Sequence, residues 1–330
     1  MKRGVMRKGE RGAALLSVLL LVAVMAVLSV SALERLKLST HLAANAAAID
    51  QARAFGQAAE TLALMRIDDL VARDPAKTTL AGGWNGRSFN LPIPGGIATA
   101  RVRDGGNCFN LNSVGIGQIP TKLQPNPTGI AQFVALMEAI GIEAKVARRV
   151  AAALADWVDA DDMQAPEGAE DDYYRSLAVP YLAANARITD VSELRAVAGV
   201  TPELYARLRP WICALPSNSL SPINVNTLLP DQAPLFAMLM PGRLDVPRAR
   251  QMLAQRPPGG YASTVEFWRL PALEALNPGQ EVIGQTKLRT EWFALDIMVE
   301  LGGAELEETA LIDSTREPAR LVSRQWGDPT

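Results

Sequence analysis

The densest chemistry in this 330-residue chain is a single acidic run. Residues 156–172 read DWVDADDMQAPEGAEDD and hold eight acids, Asp156, Asp159, Asp161, Asp162, Glu167, Glu170, Asp171 and Asp172, with no Lys or Arg among them. Carboxylates this close repel one another unless a cation neutralises them. Carboxylate and carbonyl oxygens around a Gly/Pro turn suit a hard, oxygen-preferring cation, Ca²⁺ above all. Asp159, Asp161, Asp162, Gln164, Glu170, Asp171 and Asp172 are the candidate ligands. The spacing does not match the EF-hand loop, and a solvated loop would carry the same charges. A helix that ends near Val158 and the pair Tyr173-Tyr174 bracket the segment on its two sides.

Other reactive groups are few. The one histidine, His41, lies near the membrane on the continuing helix and is expected to be a surface residue, not a catalyst. No G-x-S-x-G, P-loop, H-E-x-x-H or Cys/His zinc spacing occurs, so no enzymatic chemistry is expected. Two cysteines, Cys108 and Cys213, permit one disulfide or two buried free thiols. The net charge of −2 supplies no basic field for nucleic acid.

The elements that carry these groups start with an anchor. Residues 13–33, AALLSVLLLVAVMAVLSVSAL, are uncharged and long enough to cross a bilayer as a helix. They follow a stub with Lys2, Arg3, Arg7, Lys8 and Arg11 against a single Glu10, a bias that keeps the N-terminus cytoplasmic. Three readings fit: a secretory signal cut after Val30-Ser31-Ala32, an uncleaved anchor, or a prepilin-type signal cut between Gly12 and Ala13 with the apolar helix retained. The junction itself, a basic leader ending in Gly with unbroken apolar sequence at the next residue, favours the third. In most subunits of such filaments the fifth mature residue is Glu, whose buried carboxylate pairs with the α-amino group of a neighbour. Here the fifth residue after the cut is Ser17, and no acid occurs before Glu34. A subunit with nothing above it does not need that carboxylate.

Helical propensity continues from Glu34 to Ala72, with an apolar stripe at Ala52, Phe55, Ala59, Leu62, Ala63 and Met65, and Pro75 ends it. Strands are expected at 87–93 and 97–103 around Pro94-Gly95-Gly96, and at 108–112. From about 128 to 276 the pattern is helical, with candidate helices at 130–141, 144–158, 191–198, 202–208, 229–240, 247–255 and 264–269 and a short strand at 223–225. Strands return at 291–300, 305–312 and 319–326. Phe109-Asn110-Leu111-Asn112-Ser113-Val114 matches Ile223-Asn224-Val225-Asn226-Thr227-Leu228, an internal repeat of two strand-to-helix turns. Residues 194–208 have the form of a helix-hairpin-helix unit, but Asp190, Glu193 and Glu203 offset Arg195, Arg207 and Arg209, which points to a structural or protein-binding unit over a DNA-binding one.

Together these segments resemble the type II secretion minor pseudopilin K family, and the resemblance covers essentially the whole chain. Its carriers are the RG-AALLSVLLLVAVMAVLSVSAL junction without an acid at the fifth position, NCFNLNSV, the acidic run with its YY, PYLAAN followed by VSELRAVAGVTPELYARLRPWI, INVNT, STVEFW and WFALDI. The family implies an α+β chain with a pilin-like fold, a long N-terminal helix packed on an antiparallel sheet, and a large inserted all-α domain that binds calcium. The expected divisions are a leader at 1–12, a transmembrane helix at 13–33, a first pilin-like part at 34–118, an inserted domain with SAM/helix-hairpin-helix-like modules at 119–284, and closing strands at 285–330. It implies a non-enzymatic subunit, N-methylated after cleavage by prepilin peptidase. The subunit is held in the inner membrane with its bulk in the periplasm, at the tip of a short filament. Minor pseudopilins I, J and H, the major pseudopilin, exported substrate and the outer-membrane secretin are the implied partners. A membrane-anchored DNA-uptake protein and a type IV pilus minor pilin are the alternatives.

Overall fold

The computed structural model describes residues 8–119 and 122–327; the first seven leader residues lie outside them. Helix α1, Lys8–Arg73, runs unbroken from the leader through the apolar stretch to the sheet. It stops before Asp74-Pro75, where proline disfavours the α conformation of the residue before it. Its first part stands free of the rest of the fold, with the large apolar side chains from Leu15 to Leu42 exposed, and it is the one candidate membrane span among the described residues. Its last part packs on a sheet.

The sheet has five strands, β1 (Ser88–Ile93), β2 (Gly96–Asp104), β3 (Trp292–Leu301), β4 (Ala304–Asp313) and β5 (Arg320–Trp326), in that spatial order and antiparallel throughout. Pairing of Ile93 with Gly96 and of Leu301 with Ala304 closes two two-residue hairpins. The second turn is Gly302-Gly303, with φ of 58° and 86°, values that side chains with a Cβ rarely adopt. Alternation puts Ala98 and Ala100 of β2, Phe293, Leu295, Ile297 and Val299 of β3, and Ala310 and Ile312 of β4 on the face that α1 covers. The helix meets them with Ala52, Ala59, Ala63, Ile67 and Val71, at roughly one and two turns' spacing. The stripe is narrower than the expected one: Ala52, Ala59 and Ala63 are buried, but Phe55 is half-buried and Leu62 and Met65 are exposed, and the 3.6-residue repeat carries the buried face on to Ile67 and Val71.

Two buried carboxylates around a half-buried guanidinium fix α1 to the sheet edge. Arg324 of β5 bonds Glu60 of α1 at 2.7 and 2.8 Å and lies 3.3 Å from Glu308 of β4. Neither Glu308 oxygen is in hydrogen-bonding geometry, and burial together with the neighbouring Glu60 pushes its carboxyl up to about 7.

Between β2 and β3 the chain builds a second core from short helices. These are α2 (Pro127–Ala139), α3 (Ala144–Val158), α4 (Asp171–Arg175), α5 (Pro202–Leu208), α6 (Ala233–Ala237), α7 (Val246–Ala254), α8 (Thr264–Trp268), α9 (Pro271–Glu274) and α10 (Gln280–Gln285). The expected strand at 108–112 is only Phe109–Asn110; the Asn110 side chain accepts from Asn112 N–H and starts a 3₁₀ turn, Leu111–Val114. The expected helices at 191–198 and 229–240 likewise begin or remain 3₁₀, over Val191–Ala196 and Pro230–Gln232.

The Asn-x-Asn repeat marks two modules built alike. Phe109–Asn110 pairs in parallel with Ile212–Cys213, and Ile223–Asn224 pairs in parallel with Thr286–Lys287. Asn112 clamps Ile188 through its amide (N–H to Oδ1 2.7 Å, Nδ2 to C=O 2.8 Å), and Asn226 clamps Tyr261 in the same way (2.7 and 3.2 Å). Two residues beyond each clamp a helical turn starts on a side-chain cap, Asp190 with Glu193 and Ser263 with Glu266.

Cys108 and Cys213 are joined, with Cα atoms 5.8 Å apart across a sequence separation of 105, and close the first module. Reducing this bridge is expected to lower stability by up to about 4–5 kcal/mol in the chain-entropy model. Denaturant melts with and without reductant measure it, with Cys108→Ser/Cys213→Ser insensitive to reductant. Arg324→Ala is expected to destabilise by about 3–5 kcal/mol, because two buried carboxylates lose their cation. The same denaturant series reads this loss.

Candidate functional site

The acidic segment begins inside α3. Asp156 lies in its last turn and Asp159 is its C-cap, three residues apart and so on one face. Both sit at the negative end of the helix dipole, which disfavours charge there. Both are buried, as is Glu170, the residue before α4. Three acids are thereby drawn out of water within one loop.

Their partners differ. Asp156 accepts from Ala165 N–H at 3.1 and 3.3 Å, and Gly168 folds so closely over it that an added Cβ would lie 2.0 Å from Oδ2. Asp159 Oδ1 and both carboxylate oxygens of Glu170 have no hydrogen-bond partner. Burial pushes Asp156 up to about 6, against the pull of the Ala165 and Ala169 amides. Burial first, then the charges of Asp161, Asp156 and Glu170, pushes Asp159 up to about 7. Burial and the Asp156 charge do the same for Glu170, also to about 7.

The other expected ligands are placed differently. Asp161 and Asp162 are exposed, Asp161 accepting from Met163 N–H at 2.9 Å. Gln164 donates to the Gly168 carbonyl at 2.8 Å, which leaves its own carbonyl oxygen available. Asp171 accepts from Ala183 N–H at 3.0 Å and pairs with Arg175 at 2.6 Å, and Asp172, on the outside, lies 3.5 Å from the same guanidinium. Thus Asp159 and Glu170 are brought together with Asp156, while Asp171 and Asp172 turn to Arg175. Asp156 was absent from the expected ligand set; its D-x-x-D spacing with Asp159 at a helix end is the signal that marks it.

No three His, Cys, Asp or Glu side chains among the described residues converge as a ready-made metal shell. A hard cation does not require one: Ca²⁺ takes six to eight oxygens, drawn from backbone carbonyls and water as well as carboxylates. A buried Glu170 with both oxygens unpartnered and a buried Asp159 with Oδ1 unpartnered, beside a third acid, fit such an ion better than they fit water-free isolation.

At the other sites, Ser17 lies on α1 with its Oγ donating to the Ala13 carbonyl at 2.8 Å, so the fifth position past Gly12 is an internally satisfied hydroxyl. Gly12 and Ala13 both fall within the α1 backbone. In the helix-hairpin-helix unit, Arg207 donates to the Ile140 carbonyl at 2.9 Å and Arg195 stacks 5.8 Å from the Tyr205 ring centre. These arginines serve the fold's own contacts.

Two family models match the helical block, both described as type II secretion system protein K, over residues 107–217 and 223–286. Their edges fall on the two Asn-x-Asn modules. Type II secretion system protein K of Pectobacterium carotovorum subsp. carotovorum is 33% identical over 330 residues, 98% of each chain. That of Klebsiella pneumoniae is 35% identical over 323 residues, again 98% of each. Among solved structures, a chain of the GspK-GspI-GspJ complex from the enterotoxigenic Escherichia coli type 2 secretion system superposes with a TM-score of 0.73 at 28% identity, covering 84% of this chain and 96% of that one. The chain belongs to the type II secretion system protein K family, the minor pseudopilin K subunits.

Proposed function

We propose that this minor pseudopilin caps the periplasmic pseudopilus, primes its assembly, and carries a calcium ion in its acidic loop. The observation that carries the tip position is the helical block. It enters the sheet between β2 and β3 and forms a second core beside the first, a bulk that a filament wall of closely stacked stems has no room for. The stem agrees. From Ala13 to Leu33 it holds no carboxylate to seek a subunit above it, and Ser17 is satisfied within its own helix.

On this account prepilin peptidase cuts between Gly12 and Ala13, the new amine is N-methylated, and α1 stays in the inner membrane until assembly. The exposed apolar part of α1 then packs against the stems of other subunits. Minor pseudopilins I and J are its first partners, a choice supported by the GspK-GspI-GspJ complex that the chain resembles. Minor pseudopilin H, the major pseudopilin, exported protein and the secretin complete the set. The role is mechanical and recognitional, without catalysis.

The calcium ion would be held by Asp159 and Glu170, with Asp156 behind them and Asp161, Asp162 and the Gln164 carbonyl within the same loop. Neutralising the buried carboxylates would join the end of α3 to the start of α4.

Gly12→Ala is expected to leave the full-length precursor in the membrane, whereas the parent chain yields a mature mass beginning at Ala13; mass spectrometry of the purified protein reads both. For calcium, the sign follows from proton binding. The folded carboxyls at about 6 and 7 lie above their unfolded values, so the metal-free fold holds more protons between roughly pH 4 and 7. Its stability is therefore fully present at the acid end and falls as pH rises through that window. Ca²⁺ competes with those protons, so the melting temperature gained over a chelated sample should grow from pH 5 to pH 8. Asp159→Asn/Glu170→Gln should abolish the gain and stabilise the chelated protein at pH 8. An equal gain in the double variant would remove calcium from this loop.

A further inference from the structure

The stem meets the sheet at Gly56, the one glycine of α1 past the leader. Ala52, one turn earlier, is the first buried residue among those described in the helix. Glycine weakens a helix interior, and here close packing accounts for it. A Cβ at this position would lie 3.1 Å from two atoms of the Trp326 ring and 3.2 Å from Glu308 Oε2. The bare backbone of the helix thus closes over a carboxylate at the root of the stem.

The charges around that carboxylate do not balance. Glu308 is 1% and Glu60 6% exposed. Arg324 donates from Nε and Nη2 to the two oxygens of Glu60, and it lies 3.3 Å from Glu308 without reaching hydrogen-bonding geometry. Across the strands Glu308 is paired with Ile297 of β3 and Trp326 of β5, and Leu306 and Ala310 flank it on its own face of β4. The charged groups that face it are Glu60 from α1 and Arg324 from β5. Two buried acids therefore share one guanidinium, and one negative charge is left over. Two ionised carboxylates are both acceptors and only repel each other. With one proton between them, the protonated acid donates to the ionised one and the excess charge is gone. Glu308 is within hydrogen-bonding reach of Glu60, so the proton has a place to sit.

We propose that Glu60 and Glu308, with Arg324, form a proton-operated fastening between the root of the stem and strands β4 and β5. With the proton present, one ionised acid faces one guanidinium and the helix is clamped. With the proton lost, an uncompensated charge remains under the helix and loosens its hold. The sign is fixed by burial, then by Glu60, which push the Glu308 carboxyl up to about 7. An acid raised in this way binds its proton more tightly in the folded chain than in the unfolded one. Its contribution is fully present below the ordinary carboxylate range and is lost as pH rises through about 7. The device sits where the free part of α1 begins, so it governs how firmly the stem is held while that part packs elsewhere. It goes beyond the tip reading and requires neither cleavage nor calcium.

The test follows amide hydrogen exchange in the full chain, in nanodiscs of neutral lipid, at pH 5 and pH 8, corrected for the intrinsic pH dependence of exchange. Peptides covering residues 52–63 and 320–327 should lose about tenfold or more of their protection at pH 8, since each unit of pKa shift is a factor of ten. Residues 96–104, on the far side of the sheet, should not follow. Glu308→Gln, whose amide donates to Glu60 at either pH, should keep the protection seen at pH 5 and flatten the pH response. Glu60→Gln, which leaves Arg324 to Glu308 alone, should flatten it too. A merely structural contact would change protection equally at both pH values. Equal protection of the parent chain at pH 5 and pH 8 would overturn the proposal, and this needs no variant to fold. So would the parent's pH response persisting in both variants. The loss is expected with calcium and with chelator alike, because neither peptide covers the acidic loop, so failure of the calcium reading would leave it intact.

Discussion

A buried carboxylate stands where the helical block leaves the sheet and where it returns. Asp104, the last residue of β2, accepts from the hydroxyls of Thr227 and Thr290 and from Gly106 N–H. Burial raises its pKa, while those donors pull toward the charged form. Thr227 belongs to the second Asn-x-Asn turn and Thr290 to the approach to β3. Asn224 adds bonds to Thr290 Oγ1 and the Thr78 carbonyl, and Thr78 N–H reaches the Leu288 carbonyl at 2.8 Å. Four separate chain segments thus meet in one polar knot. With their polar groups spent on each other, the crossings have little freedom to act as hinges. The helical block is carried by sheet and stem as a single body, and a cap built from it would transmit the position of the stem to whatever it meets.

The fold treats its buried acids in two ways. At the junction of α1 with β4 and β5, Glu60 and Glu308 share Arg324, and the charge is met from within the chain. At the end of α3, Asp159 Oδ1 and both Glu170 oxygens have no hydrogen-bond partner, and Arg175, beyond them in the chain, is turned to Asp171 and Asp172 on the outside. In the first arrangement the guanidinium is bonded to Glu60 and lies 3.3 Å from Glu308, so a cation from the chain itself faces both acids. The second has no cation from the chain facing it, and it is there that the proposed calcium ion would sit.

Much of this was legible in residue order, and the exceptions have physical causes. α3 and α5 are bounded as expected because a full amphipathic pattern and an N-terminal Thr-Pro, respectively, define them. α4, α9 and α10 leave no pattern in the residue order, because four to six residues are too few to display a period. The strand at 108–112 was overestimated because Asn110 bends the chain into a cap, an outcome decided by one side chain. In the acidic run, composition located the segment but could not divide it. Asp171 and Asp172 read like Asp159 and Glu170 until Arg175, four residues on, is seen to take them. Burial, which a sequence of like charges does not reveal, separates the two sets, and it brings in Asp156 from the helix. On α1, a helix with apolar residues on several faces, Ala52, Ala59 and Ala63 of the expected stripe do face the sheet, while its larger members Leu62 and Met65 face outward and Ile67 and Val71 continue the buried row.

The most direct test of the tip position is electron cryo-microscopy of pseudopili assembled with this chain. The helical block, far larger than the turn it replaces between β2 and β3, is its own label. A single copy of that density at one end of each filament is the predicted result. Copies repeated along the wall, or filaments of normal length whose ends lack it, would contradict the account.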